Sequence, residues 1–102
     1  MGNFSDLVDE DRRLAILRTL AEDAGYSLNE SVLQSCLDAL GHNVSRDRVR
    51  TDLRWLEEQG LVRLDEVVSV LVATLTGRGT DVAAGRATVP GVKRPRPRLK
   101  GA

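Results

Sequence analysis

Three stretches of this chain carry apolar residues at the spacing of an α-helix, and each is too short to bury its own apolar stripe. Polar capping residues precede the stretches and glycines follow them, as is common at helix ends. The first helix is predicted to begin near Ser5 or Asp6 and to end at Gly25. The second lies between Asn29 and Gly41, and the third between Ser45 and Gly60. The three helices must therefore pack together, and 102 residues are enough for one such core.

The spacing within each stripe identifies the side chains that we expect in this core. The first helix turns Leu14, Leu17, Leu20, Ala21 and Ala24 inward, the second Val32, Leu33, Cys36, Leu37 and Leu40, and the third Val49, Leu53 and Leu56. The third helix is the most sharply defined, because the hydroxyl of Ser45 can accept a hydrogen bond from its free first-turn N–H groups.

Short β-branched runs are predicted to close the core. "LVRL" and "VVSVLVATL", separated by Asp65 and Glu66, indicate two antiparallel strands with an acidic tip, and "YSL" at 26–28 indicates a short extended piece. Thr76 can cap a last short helix over "GRGTDVAAGRA". The predicted fold is mainly α with a small β-hairpin, a winged helix-turn-helix of order α-β-α-α-β-β-α, and "GHNVS" has the length of its turn.

Charge and proline content change at Val89. The chain has fifteen basic and fifteen acidic residues, but five bases and no acid lie in the last ten residues, so the rest carries a net charge of about −5. We predict a folded domain over 1–88 and a basic, proline-rich, disordered tail over 89–102. The bases of the tail, which suit a polyanion such as DNA, are Lys93, Arg94, Arg96, Arg98 and Lys100.

The segment "VSRDRVRTDLRWLEEQGLV", from Val44 to Val62, resembles the recognition-helix region of winged-helix repressors of the DeoR type, a DeoR/ArsR-like helix-turn-helix. The matching positions are Ser45, Val49, Arg50, Asp52, Leu53, Leu56, Glu57, Gly60 and Leu61. Over its whole length the chain is also similar to small winged-helix proteins of Mu-like phages and prophages. The resemblance implies a DNA-binding transcriptional regulator of a phage, prophage or bacterium.

Helical geometry predicts which side chains of the third helix would face DNA. Asp47, Thr51, Arg54 and Glu58 lie opposite the buried stripe, and arginine can contact a guanine edge or clamp a phosphate. The predicted residues for binding double-stranded DNA are Ser45, Arg46, Arg48, Arg50, Thr51 and Arg54 on the helix, and Lys93, Arg94, Arg96 and Arg98 in the tail.

Each of these features also has a simpler interpretation. Asp47, Asp52, Glu57 and Glu58 can pair with the arginines as an ordinary solvated surface. The basic tail can equally aid solubility or bind RNA or an acidic protein. A second class of function therefore stays open, in which the fold is a protein-interaction or phage-assembly module without sequence-specific DNA binding.

Several apolar residues lie off the main stripes. Phe4, Val8 and Ile16 can form a homodimer interface, a partner that many winged-helix regulators use. Trp55 lies beside the stripe of its helix, and we expect it to pack in the core or under the hairpin rather than to face a partner.

The sequence argues against an enzyme, a cofactor or a metal site. Cys36 is the single cysteine and falls on an apolar stripe, and His42 is the single histidine and follows a helix-ending glycine. "GRG" at 77–79 lacks the lysine and the spacing of a phosphate-binding loop. No apolar run has the length of a membrane span and the N-terminus is acidic, so we expect a cytoplasmic protein.

Overall fold

A computed structural model of the protein describes residues 2–96, which form four α-helices and one antiparallel sheet of three strands. The helices are α1 (Phe4–Glu22), α2 (Glu30–Ala39), α3 (Arg46–Glu58) and α4 (Gly77–Ala84). The strands are β1 (Ser27–Asn29), β2 (Val62–Val67) and β3 (Val70–Leu75), arranged in the order β1-β3-β2. The order of elements along the chain is the predicted one, and the topology is compatible with a winged helix.

Each helix begins at a side-chain cap. Asn29, Ser45 and Thr76 accept hydrogen bonds from the backbone N–H groups of Val32, Arg48 and Gly79, respectively. The start of α1 differs from the prediction, because Asn3 caps it and Asp6 bonds back to the N–H of Asn3. This reciprocal pair satisfies two first-turn donors and moves the start of α1 to Phe4.

The core is built from the predicted stripes. Fully buried side chains include Leu17, Leu33, Val49, Leu53 and Leu56. Val32 and Leu40 were expected in the core but are 41% and 59% exposed. The reason is that α2 turns Glu30, Leu33 and Leu37 inward, which leaves Val32 on the flank, while Leu40 lies beyond the last helical residue. Cys36 is half-buried and Ala24, which lies after the end of α1, is exposed.

Ile16 was placed outside the core by its position on the helical wheel, and this prediction is wrong. Its side chain is fully buried, because α1 packs against α2, α4 and β3 and is covered over a wider arc than a single stripe. Ile16 is therefore unavailable to a homodimer interface, whereas Phe4 is exposed and Val8 is half-buried.

The β2–β3 hairpin turns at Val68 and Ser69 rather than at Asp65 and Glu66. Val67 pairs with Val70, so that only two residues form the loop, and both have positive φ angles of 50° and 64°. Such a turn matches the right-handed twist of the flanking strands. Asp65 and Glu66 belong to β2, where they pair with Val72 and Leu71.

The segment that follows α4 packs on the body of the protein instead of leaving it at residue 88. Val89 and Val92 are buried, and the N–H of Lys93 donates to the carbonyl of Glu10. Folded structure therefore continues through at least Lys93. Residues 97–102, which include Arg98 and Lys100, lie outside the described residues.

Trp55 packs beneath this C-terminal segment and not beneath the hairpin. The Arg13 guanidinium lies 4.1 Å from the centroid of the Trp55 ring and donates to the carbonyl of Gly91 at 2.9 Å. Gly91 has a φ of +99°, and a Cβ there would lie 2.6 Å from the Trp55 ring. The close approach explains why a glycine occupies this position.

We expect Leu53→Ala to lower the free energy of unfolding by about 2–5 kcal/mol, because it leaves a cavity in the middle of the core. The matched control is Leu40→Ala, whose side chain is exposed and whose loss should change stability by no more than about 0.5 kcal/mol. Urea denaturation of both variants measures the difference, and equal effects would contradict the assigned burial.

A chain that ends at Thr88 should be less stable than a chain that ends at Arg96. The shorter chain loses the burial of Val89 and Val92, each worth about 1.5–3 kcal/mol, and exposes Trp55. Thermal unfolding of the two chains measures the difference, and identical melting temperatures would show that the segment contributes nothing to the folded body.

Candidate functional site

The exposed face of α3 is the one that the sequence predicted. Asp47, Thr51, Arg54 and Glu58 are exposed, and so are Arg46 and Arg48. The hydroxyl of Thr51 donates to the carbonyl of Asp47 at 3.0 Å, and that of Ser45 accepts the cap bond, so both contribute to the helix itself. The arginines are thus the groups on this face with donors to spare.

Three of these arginines have no acidic partner within ion-pair distance in the described part of the chain. Over residues 2–96, Arg46, Arg48 and Arg54 form no ion pair. Arg46 does donate from Nε to Oε1 of Gln34 at 2.8 Å, but the amide is neutral and leaves the positive charge available. These three side chains are exposed to solvent, and their assignment as DNA contacts stays a prediction.

Arg50 occupies a different environment from the other arginines of α3. Its Nε and Nη2 donate to Oε1 and Oε2 of Glu30 at 2.6 and 2.7 Å. Nη2 also donates to the carbonyl of Ser69, in the turn of the hairpin, at 2.8 Å. Arg50 therefore joins α3 to α2 and to the hairpin, although its side chain is still 36% exposed.

Glu30 is the acid that sequence reasoning missed at this site. Its side chain is 1% exposed and accepts a third hydrogen bond, from the N–H of Leu71, at 2.7 Å. The bond from Arg50 outweighs the effect of burial, and together with the Leu71 bond it lowers the pKa of Glu30 from 4.5 to about 2. In the sequence, Glu30 follows the cap Asn29 and is indistinguishable from an ordinary first-turn acid.

Asp52 is likewise withdrawn from the surface of α3. It is 1% exposed and accepts hydrogen bonds from Nε and Nη2 of Arg12 on α1, at 2.5 and 3.2 Å. Arg12 also donates to Asp9 at 2.8 Å, which lowers the pKa of Asp9. Asp52 was expected to balance the arginines of α3 at the surface, but it neutralises Arg12 in the interior instead.

Lys93, which was predicted to bind DNA from the tail, contacts α1 instead of extending from the protein. Its Nζ donates to Oδ1 of Asp11 at 3.0 Å, and Nε2 of His42 lies 2.7 Å from the other oxygen of Asp11. Burial raises the pKa of Asp11, but the hydrogen bonds with Lys93 and His42 outweigh it and lower the value. His42 also has the expected turn role, since its N–H donates to the carbonyl of Leu37. Arg94 and Arg96 are exposed.

The part of the chain that the structure describes contains no group of three or more His, Cys, Asp or Glu side chains suited to a metal ion. Nor does any helix within residues 2–96 combine the length and apolar character needed to cross a membrane.

Replacing Glu30 by Gln should change how stability depends on pH. Because folding lowers the pKa of Glu30, its ionised form stabilises the protein above about pH 4.5, and this contribution is lost as the pH falls towards 2. Glu30→Gln should therefore be less stable than the unchanged protein at pH 7. Between about pH 4.5 and pH 2 it should lose less stability than the unchanged protein does. Denaturant titrations of this variant and of Glu22→Gln, which removes an exposed carboxylate, test the assignment. Parallel curves for Glu30→Gln and the unchanged protein would contradict it.

Comparison with known proteins finds a relative in a phage and another in a bacterium. No protein-family model matches it. It is 60% identical over 95 residues to the uncharacterized protein gp26 of Escherichia phage Mu, an alignment that covers 93% of this chain and 98% of the phage protein. It is 48% identical over 77 residues to an uncharacterized protein of Haemophilus influenzae, with 74% of each chain covered. The chain belongs to the family of the phage Mu protein gp26.

Proposed function

We propose that the chain is a winged-helix protein that binds double-stranded DNA through α3 and regulates transcription in a phage or prophage. The observation that carries the proposal is the set of exposed arginines Arg46, Arg48 and Arg54 on α3, which form no ion pair within residues 2–96. Within the same helix, Arg50 and Asp52 are neutralised by partners from α2 and α1, so neither interferes with the charge of the exposed face.

The distribution of charge along α3 favours its first half as the contact region. The first turn contains the two bases Arg46 and Arg48 and one acid, Asp47. The acids Glu57 and Glu58 lie in the last turn. Glu57 also accepts a hydrogen bond from the N–H of Leu64 on β2. The N-terminal part of a recognition helix is the part that usually reaches base edges in the major groove.

The basic C-terminal segment has a place in this proposal. Lys93 is bonded to Asp11 of α1. The basic arm that would contact the DNA phosphates therefore begins at Arg94 and includes Arg96, Arg98 and Lys100. Such an arm adds affinity that depends on salt and not on sequence. Asp65 and Glu66 are exposed acids on β2, and they would repel phosphates from that side of the hairpin.

A second candidate function rests on exposed apolar side chains on and beside α1. Phe4 is 82% exposed, and Leu7 and Leu40 are also exposed beside grooves along α1. Exposed apolar residues of this kind can pack against a second copy of the chain or against another phage protein. An assembly module would require such a contact surface. The two candidates rest on different side chains, the arginines of α3 and the apolar residues beside α1, and are therefore separable by mutation.

Arg46→Ala and Arg54→Ala should each weaken binding to a preferred duplex by about 1–3 kcal/mol, and less to random duplex, because a base contact is lost. Arg18→Ala, which removes an exposed arginine beside Leu40 on α1, is the matched control and should bind as the unchanged protein does. Fluorescence anisotropy with labelled duplexes at two salt concentrations measures all three. No affinity of the intact protein for any duplex at low salt would overturn the proposal in favour of the assembly module.

A chain that ends at Lys93 should keep its packed segment and bind every duplex more weakly to the same degree. Fewer bound counterions are released, so the plot of log affinity against log salt should be flatter than for the full chain. An unchanged salt dependence would show that the bases after Lys93 make no phosphate contacts.

A further inference from the structure

Two exposed valines, Val67 and Val68, form the tip of the β2–β3 hairpin. Val68 is 91% exposed at a φ of +50°, and Val67 is 55% exposed. A β-branched residue in the left-handed region is a steric outlier, and turns of this kind normally use Asn or Gly. The chain therefore keeps apolar side chains in solvent where a polar residue would fit the turn better. Strain of this kind is concentrated at contact sites.

Hydrogen bonds anchor this tip to the body of the protein. The carbonyl of Ser69 accepts a hydrogen bond from Arg50 at 2.8 Å, and the N–H of Leu71 donates to the buried carboxylate of Glu30 at 2.7 Å. These bonds hold both the turn and the strand that follows it. The two valines are thus a preordered apolar projection, so covering them with a partner costs little additional ordering.

A groove between α1 and the C-terminal segment has matching dimensions. Its volume is about 440 Å³, within the range of pockets that hold small apolar ligands, and it is large enough for two valine side chains. Phe4, Leu7 and Val8 supply its apolar lining, while Lys93 and Arg96 bring basic groups to it. No residue of the hairpin lines this groove, so the tip and the groove are separate surfaces.

The tip and the groove also carry opposite charges that find no partner within the chain. Over residues 2–96, neither Glu66, which precedes the tip, nor Arg96, in the groove, forms an ion pair. Of the acids that line the groove, Asp11 is already paired with Lys93, and Glu10 is half-buried. Arg96 is therefore an exposed positive charge beside apolar side chains, and Glu66 is its negative counterpart.

We propose that the chain associates head to tail, with the hairpin tip of one copy seated in the α1 groove of the next. The valines cover Phe4 and Leu7, and Glu66 of one copy pairs with Arg96 of the next. Because the two surfaces differ, each added copy leaves one tip and one groove free, and association continues into a ring or an open chain. The contact is small, so it belongs with weak interfaces that need a high local concentration.

This inference does not depend on DNA binding by α3. It gives the assembly module, the second candidate function, a partner of defined chemistry, namely another copy of the same chain. It also separates the tip and the groove from the arginines of α3, so the absence of DNA binding would leave it standing.

Two substitutions at exposed positions test the contact. Val68→Asn removes the apolar tip and suits the turn, and Phe4→Ser removes an exposed apolar side chain of the groove. In sedimentation equilibrium, the mean mass of the unchanged protein should rise with concentration, and each variant should associate roughly tenfold more weakly or less. Tyr26→Asn is the matched control, because Tyr26 is exposed at a φ of 58° outside both surfaces, and it should associate as the unchanged protein does.

A mixture of the two variants distinguishes head-to-tail association from a symmetric dimer. Val68→Asn keeps an intact groove and Phe4→Ser keeps an intact tip, so the mixture should form one-to-one dimers and nothing larger. A symmetric dimer through α1 would instead leave Val68→Asn as associated as the unchanged protein, which overturns the proposal. An unchanged protein that stays monomeric at its highest soluble concentration overturns it as well.

Charge reversal tests the assigned ion pair. Glu66→Arg and Arg96→Glu should each weaken association, whereas a chain that carries both changes should associate as the unchanged protein does, because the pair is restored with its charges exchanged. The effect of each single reversal should shrink at high salt. A double variant as weak as the single ones would overturn the seating of the tip in the groove.

Discussion

Burying an ionised carboxylate is costly unless hydrogen-bond donors surround it, and Glu30 is buried against three donors. These donors come from α3 and from β3, while Glu30 itself opens α2. One side chain therefore links α3 to the hairpin, beside the apolar packing of α3 on β2. Removing it would leave the Arg50 guanidinium without its charge partner and would release the turn at Ser69. The surface formed by α3 and the hairpin tip depends on this arrangement.

The internal ion pairs also determine which charges remain on α3. Arg50 pairs with Glu30 of α2, and Asp52 pairs with Arg12 of α1. One base and one acid of α3 are therefore neutralised by residues of other helices. The remaining arginines include two near its start, and Glu57 and Glu58 lie at its end. The helix thus has a polarity that its overall neutral composition conceals. This separation, rather than net charge, distinguishes the proposed DNA face from an ordinary solvated surface.

Local chemistry accounts for what was predictable from the sequence. The caps Asn29, Ser45 and Thr76 act on N–H groups within three residues, and the spacing of Val49, Leu53 and Leu56 already defines one helical face. The missed features depend on contacts across the chain. Glu30 meets Leu71, and Asp52 meets Arg12, over about 40 positions. The C-terminal segment looked too polar to pack, but Val89 and Val92 find an apolar surface that exists only after α1 and α3 have come together. The hairpin tip was misplaced because neither Val68 nor Ser69 is a usual residue for its turn.

The central proposal is that the exposed arginines of α3 meet DNA. Amide chemical-shift mapping of the ¹⁵N-labelled full chain with an unlabelled duplex at low salt tests it directly. The account predicts shift changes over residues 46–54 together with changes from Arg94 onward, whereas an assembly module would use the apolar face of Phe4, Leu7 and Leu40 instead. Changes confined to that apolar face or to the C-terminal segment, with α3 unperturbed at saturation, would contradict it.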